Sequence, residues 1–338
     1  MKLDPPRSRA KTPAVAISVY PLNIKTDTLW SLVKQTQSGI ALRDQNIAQT
    51  LRELYDALLK PAAAELSDSQ SLIIVPDGVL WNIPFEALQP DTDRYLIDQA
   101  DISYVPSLAA LREFRKQAKT PGTNKLVALG APYLSSDFRE RIRIAYPEVQ
   151  VVSSDEQNKE VEEIGNVYNS ARRSVFVGDA ASEERLIAEV PQANILHLAA
   201  PAVLDDSSPM SSFVGLSASS GKKTDGFLQV REILRLQAPS RVVVMSATQG
   251  RAEQFGAAKL ALSWSWFVAG APSVVLSRWE NNSPAVGQLM TQFHSKLKIR
   301  PGPTRAKALQ QGLLSIRQSV DYRHPFYWSG FFLIGDGR

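Results

Sequence analysis

The chain contains no cysteine among its 338 residues and only 3 histidines. The first absence excludes disulfides, thiolate metal sites and any thiol nucleophile. The second leaves very few imidazoles to serve as general bases or metal ligands. No apolar run approaches the ~18 residues that a membrane helix needs. The stretch from Ala14 to Ile17 is too short for the core of a signal peptide. A soluble chain that stays in the cytoplasm is therefore the default expectation, unless Met1 opens an excised piece of something longer.

Charge of one sign is also scarce. Lys and Arg number 38 against 34 acidic residues, a net +4. Short basic clusters (Arg139, Arg141, Arg143; Arg112, Arg115, Lys116) are interleaved with acids or apolar residues. They read as solvated helix faces rather than a nucleic-acid footprint. No glycine-rich phosphate loop follows a strand, and no internal repeat or low-complexity tract occurs. Asp205 and Asp206 are adjacent but have no third ligand nearby, so they read as turn carboxylates, not a metal site. Neither a cofactor nor a metal is expected.

What is present is ordinary globular material, 44% hydrophobic and 21% charged. Residues 1–26, with Pro5, Pro6, Arg7, Arg9 and Lys11, read as a flexible lead-in. Residues 27–120 form an N-terminal portion. Its helical periodicity runs from Asp27 to Leu59. The strand Leu72–Val75 then turns through Pro76, Asp77 and Gly78 into Val79–Ile83, which predicts a β-hairpin. Tyr95–Val105 predicts a further strand pair, and Ser107–Ala118 a helix. Polar residues around Pro121 and Gly122 suggest a seam near residue 120.

Residues 121–338 alternate strand and helix, which argues for a mostly parallel sheet covered by helices on both faces, an α/β fold. Two strands end where open α/β sheets place their chemistry. Ile195–Ala200 stops at Pro201, and Val242–Met245 delivers Ser246, Ala247 and Thr248.

Taken with their neighbours, these segments resemble the CHAT domain, a bacterial member of the caspase-like cysteine proteases related to separase. The residues that carry the likeness span about residue 45 to the end. They are Leu72–Leu88; Tyr95–Ile97 with Ser103–Leu108; Ile195–Ala199; Asp225–Leu228 with Arg231–Leu234; Gly270–Trp279; and His324–Asp336, in family order. The resemblance implies a caspase-like sheet with the N-terminal helical and hairpin segment packed on it. It also implies a histidine base in a Thr-His-Gly following the first strand, and a cysteine nucleophile in a Ser-Ala-Cys following the second. The matching residues are Ala200-Pro201-Ala202 and Ser246-Ala247-Thr248. Pro201 has no titratable group, and an unactivated threonine hydroxyl is a poor nucleophile without a base. Loss of both together points to a pseudoenzyme.

The remaining histidines offer no obvious substitute. His197 lies four residues before Pro201, roughly 13 Å back along the strand, beyond hydrogen-bond reach, and reads as a satisfied core histidine. His294 in a helix and His324 beside Phe326, Tyr327 and Trp328 read as structural. Trp264 and Trp266 read as core or interface. The candidate binding cleft comprises His197, Ser246, Thr248, Arg278, Trp279 and Glu280, the last three because the resemblance puts that strand end beside the substrate pocket. The leading expectation is an inactive caspase-like module that binds a protein or peptide partner, with a helical-repeat (tetratricopeptide) partner implied by the resemblance alone. A hydrolase with a relocated Ser246 or Thr248 nucleophile, and a small-molecule binder at the carboxyl-end cleft, remain as alternatives.

Overall fold

The computed structural model describes residues 16–117, 125–132, 134–147, 151, 154–218, 224–249, 256–281, 283–299 and 301–338. The expected lead-in is described only from residue 16, and the seam near residue 120 lies outside the described residues.

One eight-stranded sheet organises the chain. Its strands are β1 (Ser71–Ile74), β2 (Asp101–Tyr104), β3 (Leu126–Pro132), β4 (Arg173–Gly178) and β5 (Ile195–Ala199). Three short strands leave it after β5: β6 (Ala202–Val203), β7 (Phe213–Gly215) and β8 (Phe227–Gln229). Then come β9 (Val242–Met245), β10 (Thr248–Gln249), β11 (Ser273–Ser277) and β12 (Phe331–Gly335). The large sheet has the order β1-β2-β12-β11-β9-β5-β3-β4. All its pairings are parallel except β11 with β12, which is antiparallel. The small sheet has the order β10-β6-β7-β8. Its strands are two or three residues long, too short to show a period-two pattern, so no sequence signal announces them.

The helices follow the sheet. α1 (Thr26–Ala41), α2 (Ile47–Leu58) and α3 (Ala63–Ser67) precede β1; α4 (Leu96–Gln99) precedes β2; α5 (Leu108–Gln117) follows it. α6 (Ser136–Ala145), α7 (Asp155–Val167), α8 (Glu183–Glu189), α9 (Val230–Ile233) and α10 (Ala257–Ala269) lie between the later strands. α11 (Pro284–Leu297), α12 (Arg305–Arg317) and α13 (Pro325–Trp328) precede β12. α7, α11 and α12 pack side by side over one face of the sheet. α9 and α10 pack against each other, and the right-handed rule for the crossovers from β5 to β9 and from β9 to β11 assigns them to the other face. β3, β5, β9 and β11 carry consecutive buried residues such as Ile195–Leu198 and Val242–Met245, as strands covered on both faces must. No helix among the described residues is long and apolar enough to cross a membrane.

The N-terminal portion departs from expectation. β1 does not form a hairpin with Val79–Ile83. It pairs in parallel with β2, Leu72 opposite Ile102. Gly78 takes the left-handed φ of +51° that the turn signal foretold, but the chain then winds into a 3-10 turn over Gly78–Asn82. Val79, Leu80 and Trp81 are consecutive apolar residues without alternation, so a paired strand would have turned one of them to water. Nor do Tyr95–Val105 make a strand pair. Asp98 accepts the Tyr95 amide at 2.8 Å and closes residues 96–99 into a helical turn before β2. Because β1 and β2 sit in the main sheet, this portion is built into the fold.

Candidate functional site

The two strand ends singled out by the sequence meet. β5 and β9 are central neighbours in parallel register, Leu198 opposite Met245. Beyond them the Ser246 amide donates to the Leu198 carbonyl at 3.1 Å, and the Ala202 amide to the Ala247 carbonyl at 3.0 Å. Thr248 then pairs with Ala202. The positions of Pro201 and Thr248 therefore flank one point at the carboxyl edge, where the chain passes from the large sheet to the small one.

Pro201 is buried. Its carbonyl accepts the Gly215 amide at 2.7 Å, and a Cβ on Gly215 would stand 2.9 Å from Phe138. Ser246 is also buried, and its hydroxyl has no hydrogen-bond partner among the described residues. The side chain of Thr248 lies outside the described residues.

All three histidines are engaged elsewhere, at every ring nitrogen. His197 Nε2 meets Glu160 Oε1 of α7 at 2.9 Å, and His197 Nδ1 meets His294 Nε2 of α11 at 3.1 Å. His294 Nδ1 meets the Tyr168 hydroxyl at 3.0 Å. With one proton on each imidazole, the order runs Tyr168 to His294 to His197 to the Glu160 carboxylate, and each donor finds an acceptor. Burial and the neighbouring His197 hold His294 well below the ordinary histidine range. This buried chain bolts β5 to α7 and α11. His324 instead accepts the Phe326 amide at 3.1 Å and donates from Nε2 to the Asp44 carbonyl at 3.1 Å, capping α13. Removing the hydroxyl alone, Tyr168→Phe, is expected to cost about 1–2 kcal/mol in urea unfolding, the loss of one buried hydrogen bond.

The six candidate-cleft residues do not assemble as one surface. His197 faces the α7–α11 layer. Arg278, just after β11, is buried among Glu86, the Trp81 carbonyl, Tyr104 and Phe332. Trp279 stacks on Phe326 and donates Nε1 to that residue's carbonyl at 3.0 Å. Glu280 is exposed. Ser246 and Thr248 remain at the β9 end.

Several residues beside this edge were not singled out by the sequence. Glu86 accepts the Tyr104 hydroxyl at 2.8 Å, and burial raises its pKa above the ordinary glutamate value against the opposing pull of Arg278. Lys259 is buried and donates to the Arg278 carbonyl. Desolvation, with Arg278 nearby, lowers it to about 7. It is the only charge in the sequence of α10, and that isolation is the signal that could have marked it as turned inward. Asp206 accepts the Ala258 amide at 2.8 Å and so caps α10 from 52 residues away. Asp205 accepts the amides of Ser207 and Ser208, the turn role its sequence suggests.

Away from the strand ends, a recess of about 220 Å³ opens between Glu183, Asp225, Phe227, Gln229, Arg231 and Glu232. Desolvation lifts Glu183 to about 7 while it accepts the Gly226 amide. None of the candidate-cleft residues lines this recess. Among the described residues no cluster of three or more histidine, aspartate and glutamate side chains could hold a metal ion.

Comparison with known proteins bears on the family and the fold. The family model described as CHAT domain covers residues 48–336. Tetratricopeptide repeat protein 28 of Homo sapiens is 27% identical over 361 residues, covering 92% of this chain and 14% of that protein. The protein of the same name from Mus musculus is 24% identical over 356 residues, covering 89% and 14%. The chain thus spans about one seventh of the length of these curated relatives. Among solved structures, the Arg specific cysteine proteinase gingipain R (RGPB) superposes with a TM-score of 0.50 at 9% identity, over 91% of this chain and 73% of that one. That likeness is one of fold.

Proposed function

This chain belongs to the CHAT domain family, and from that premise we propose that it is a catalytically inactive caspase-like module that works by binding a protein or peptide. The observation that carries the reading is the commitment of the imidazoles. All six ring nitrogens of the chain's 3 histidines have partners remote from the β5 and β9 ends. A hydroxyl nucleophile at Ser246 or Thr248 then has no histidine to take its proton. Pro201, in the position of the family base, is itself packed inside. The curated relatives bear the name of tetratricopeptide repeat proteins, and a helical-repeat segment is accordingly the partner class we favour.

The expected result is no hydrolysis of peptide libraries that vary the residue before the scissile bond. Fluorophosphonate should leave no stoichiometric adduct at Ser246 or Thr248 by mass spectrometry. Turnover abolished by Thr248→Ala would overturn the reading. Pro201→His combined with Thr248→Cys probes the same edge in reverse. Turnover in the double variant alone would support an edge that lacks only its reactive pair.

A further inference from the structure

α10 crosses the surface with an outward face that carries no charge. Leu260, Trp264 and Val268, spaced i, i+4, i+8, are 37%, 44% and 54% exposed. The inward positions Ala258, Leu262, Trp266, Phe267 and Ala269 are buried and apolar as well, and Lys259, the helix's only charge, is turned inside. A surface helix ordinarily sets polar residues opposite its apolar stripe. This one is apolar on both sides. The turn Pro209–Ser211 packs against α10 and adds Met210, 46% exposed. Contiguous exposed apolar surface of this kind marks an interaction site in soluble proteins.

The flanks say what fits. On one side α5 lies against α10, Phe114 meeting Phe267 at 4.2 Å and Trp264 at 6.2 Å between ring centroids, and it presents exposed Arg112, Arg115 and Lys116. On the other side α9 packs against α10, and its following turn presents exposed Arg235, whereas Arg231 lines the recess beside Glu183 and Glu232. The acids among them are in use. Glu113 pairs with Arg112 and Lys116, and Glu232 accepts the Gln229 amide at the start of α9. Asp336, against Arg115, also holds Arg305 and Arg338. An apolar stripe thus runs between the basic ridge of α5 and the lone Arg235 after α9. A second copy would set like charges against each other. An amphipathic helix with acidic flanks would meet both features, in the helix-in-groove manner.

We infer that the α10 face between α5 and α9 docks an acidic amphipathic helix of a protein partner. The inference rests on the binding-module reading and gives it a location away from the β5 and β9 ends.

The test uses two synthetic amphipathic helices with the same leucine stripe, one flanked by glutamates and one by lysines. Labelled glutamate peptide should bind the full chain at low salt, with a change in tryptophan emission, and weaken as ionic strength rises. The lysine peptide should not bind. Trp264→Ser should cut the affinity at least about tenfold, as loss of a tryptophan anchor does. Arg112→Glu with Arg235→Glu alters only exposed side chains and should reverse the preference between the peptides. Equal binding of both peptides would overturn the inference. So would binding indifferent to Trp264→Ser, or self-association that Trp264→Ser abolishes. Peptidase turnover, measured on the same samples, would sink the binding-module reading whatever the peptides do. A silent chain that ignores the glutamate helix would sink only the docking face.

Discussion

Arg278→Ala is expected to cost the fold about 3–5 kcal/mol, the effect of removing one partner from a buried ion pair. The guanidinium does three things at once. Nη1 donates to the Trp81 carbonyl at 2.9 Å, Nη2 faces Glu86 at 3.7 Å, and the plane lies 4.0 Å from the Phe332 ring centroid and 5.0 Å from that of Tyr104. It thereby ties the end of β11 to the turn after β1. Without it Glu86 keeps the Tyr104 hydroxyl but loses its countercharge in a fully buried place. The pH dependence follows from the direction of the shift. A carboxyl raised in the folded state binds a proton there more readily than in the unfolded chain, so its contribution to stability falls as pH rises above the ordinary glutamate range. Loss of Arg278 raises Glu86 further and extends that window upward. Urea unfolding should show a larger deficit for Arg278→Ala at pH 8 than at pH 5. A deficit under about 1 kcal/mol at both, the worth of a surface pair, would show that the buried clamp is not what holds this edge.

The second large effect belongs to Lys259. Its ammonium is lowered to about 7 by burial, with Arg278 adding repulsion and Asp206 opposing it. Between about pH 7 and the unfolded lysine value near 10.4, the unfolded chain holds a proton that the folded chain has released. Stability from this group therefore climbs with pH across that window, by up to about 1.4 kcal/mol per unit. Below pH 7 both states are protonated and the full burial penalty applies. Lys259→Met removes the titration while keeping an apolar stem of similar length. From pH 7 to pH 9 the native chain should gain about 2 kcal/mol relative to the variant in guanidinium unfolding, groups common to both cancelling. Parallel stability curves would rule the idea out.

These two groups also show where sequence reading stops. The apolar runs Ile195–Ala200 and Val242–Met245 announce buried parallel strands, and the structure has both, over Ile195–Ala199 and Val242–Met245. The glycine of the Asp77-Gly78 turn is where its signal says, yet the hairpin is not, because pairing depends on which distant segment offers a matching edge. β1 found β2. His197 reads as a core histidine and is one. Its partners lie 37 and 97 residues away along the chain, and no spacing rule reaches that far. The family resemblance puts Arg278 and Trp279 beside a cleft, but the structure packs them against Glu86 and Phe326.

The sequence by itself determined what chemistry the chain can lack. A strand ending in Pro201, another ending in Thr248, no sulfur nucleophile and three imidazoles are facts of composition and order, and no folding changes them. Only the tertiary structure decided how the imidazoles are used, which buried charges face each other, and which side of α10 is left bare. The reason is physical. Strand propensity and hydrophobic period act over a few residues, whereas burial and electrostatic pairing act between groups that the chain brings together only after it has folded.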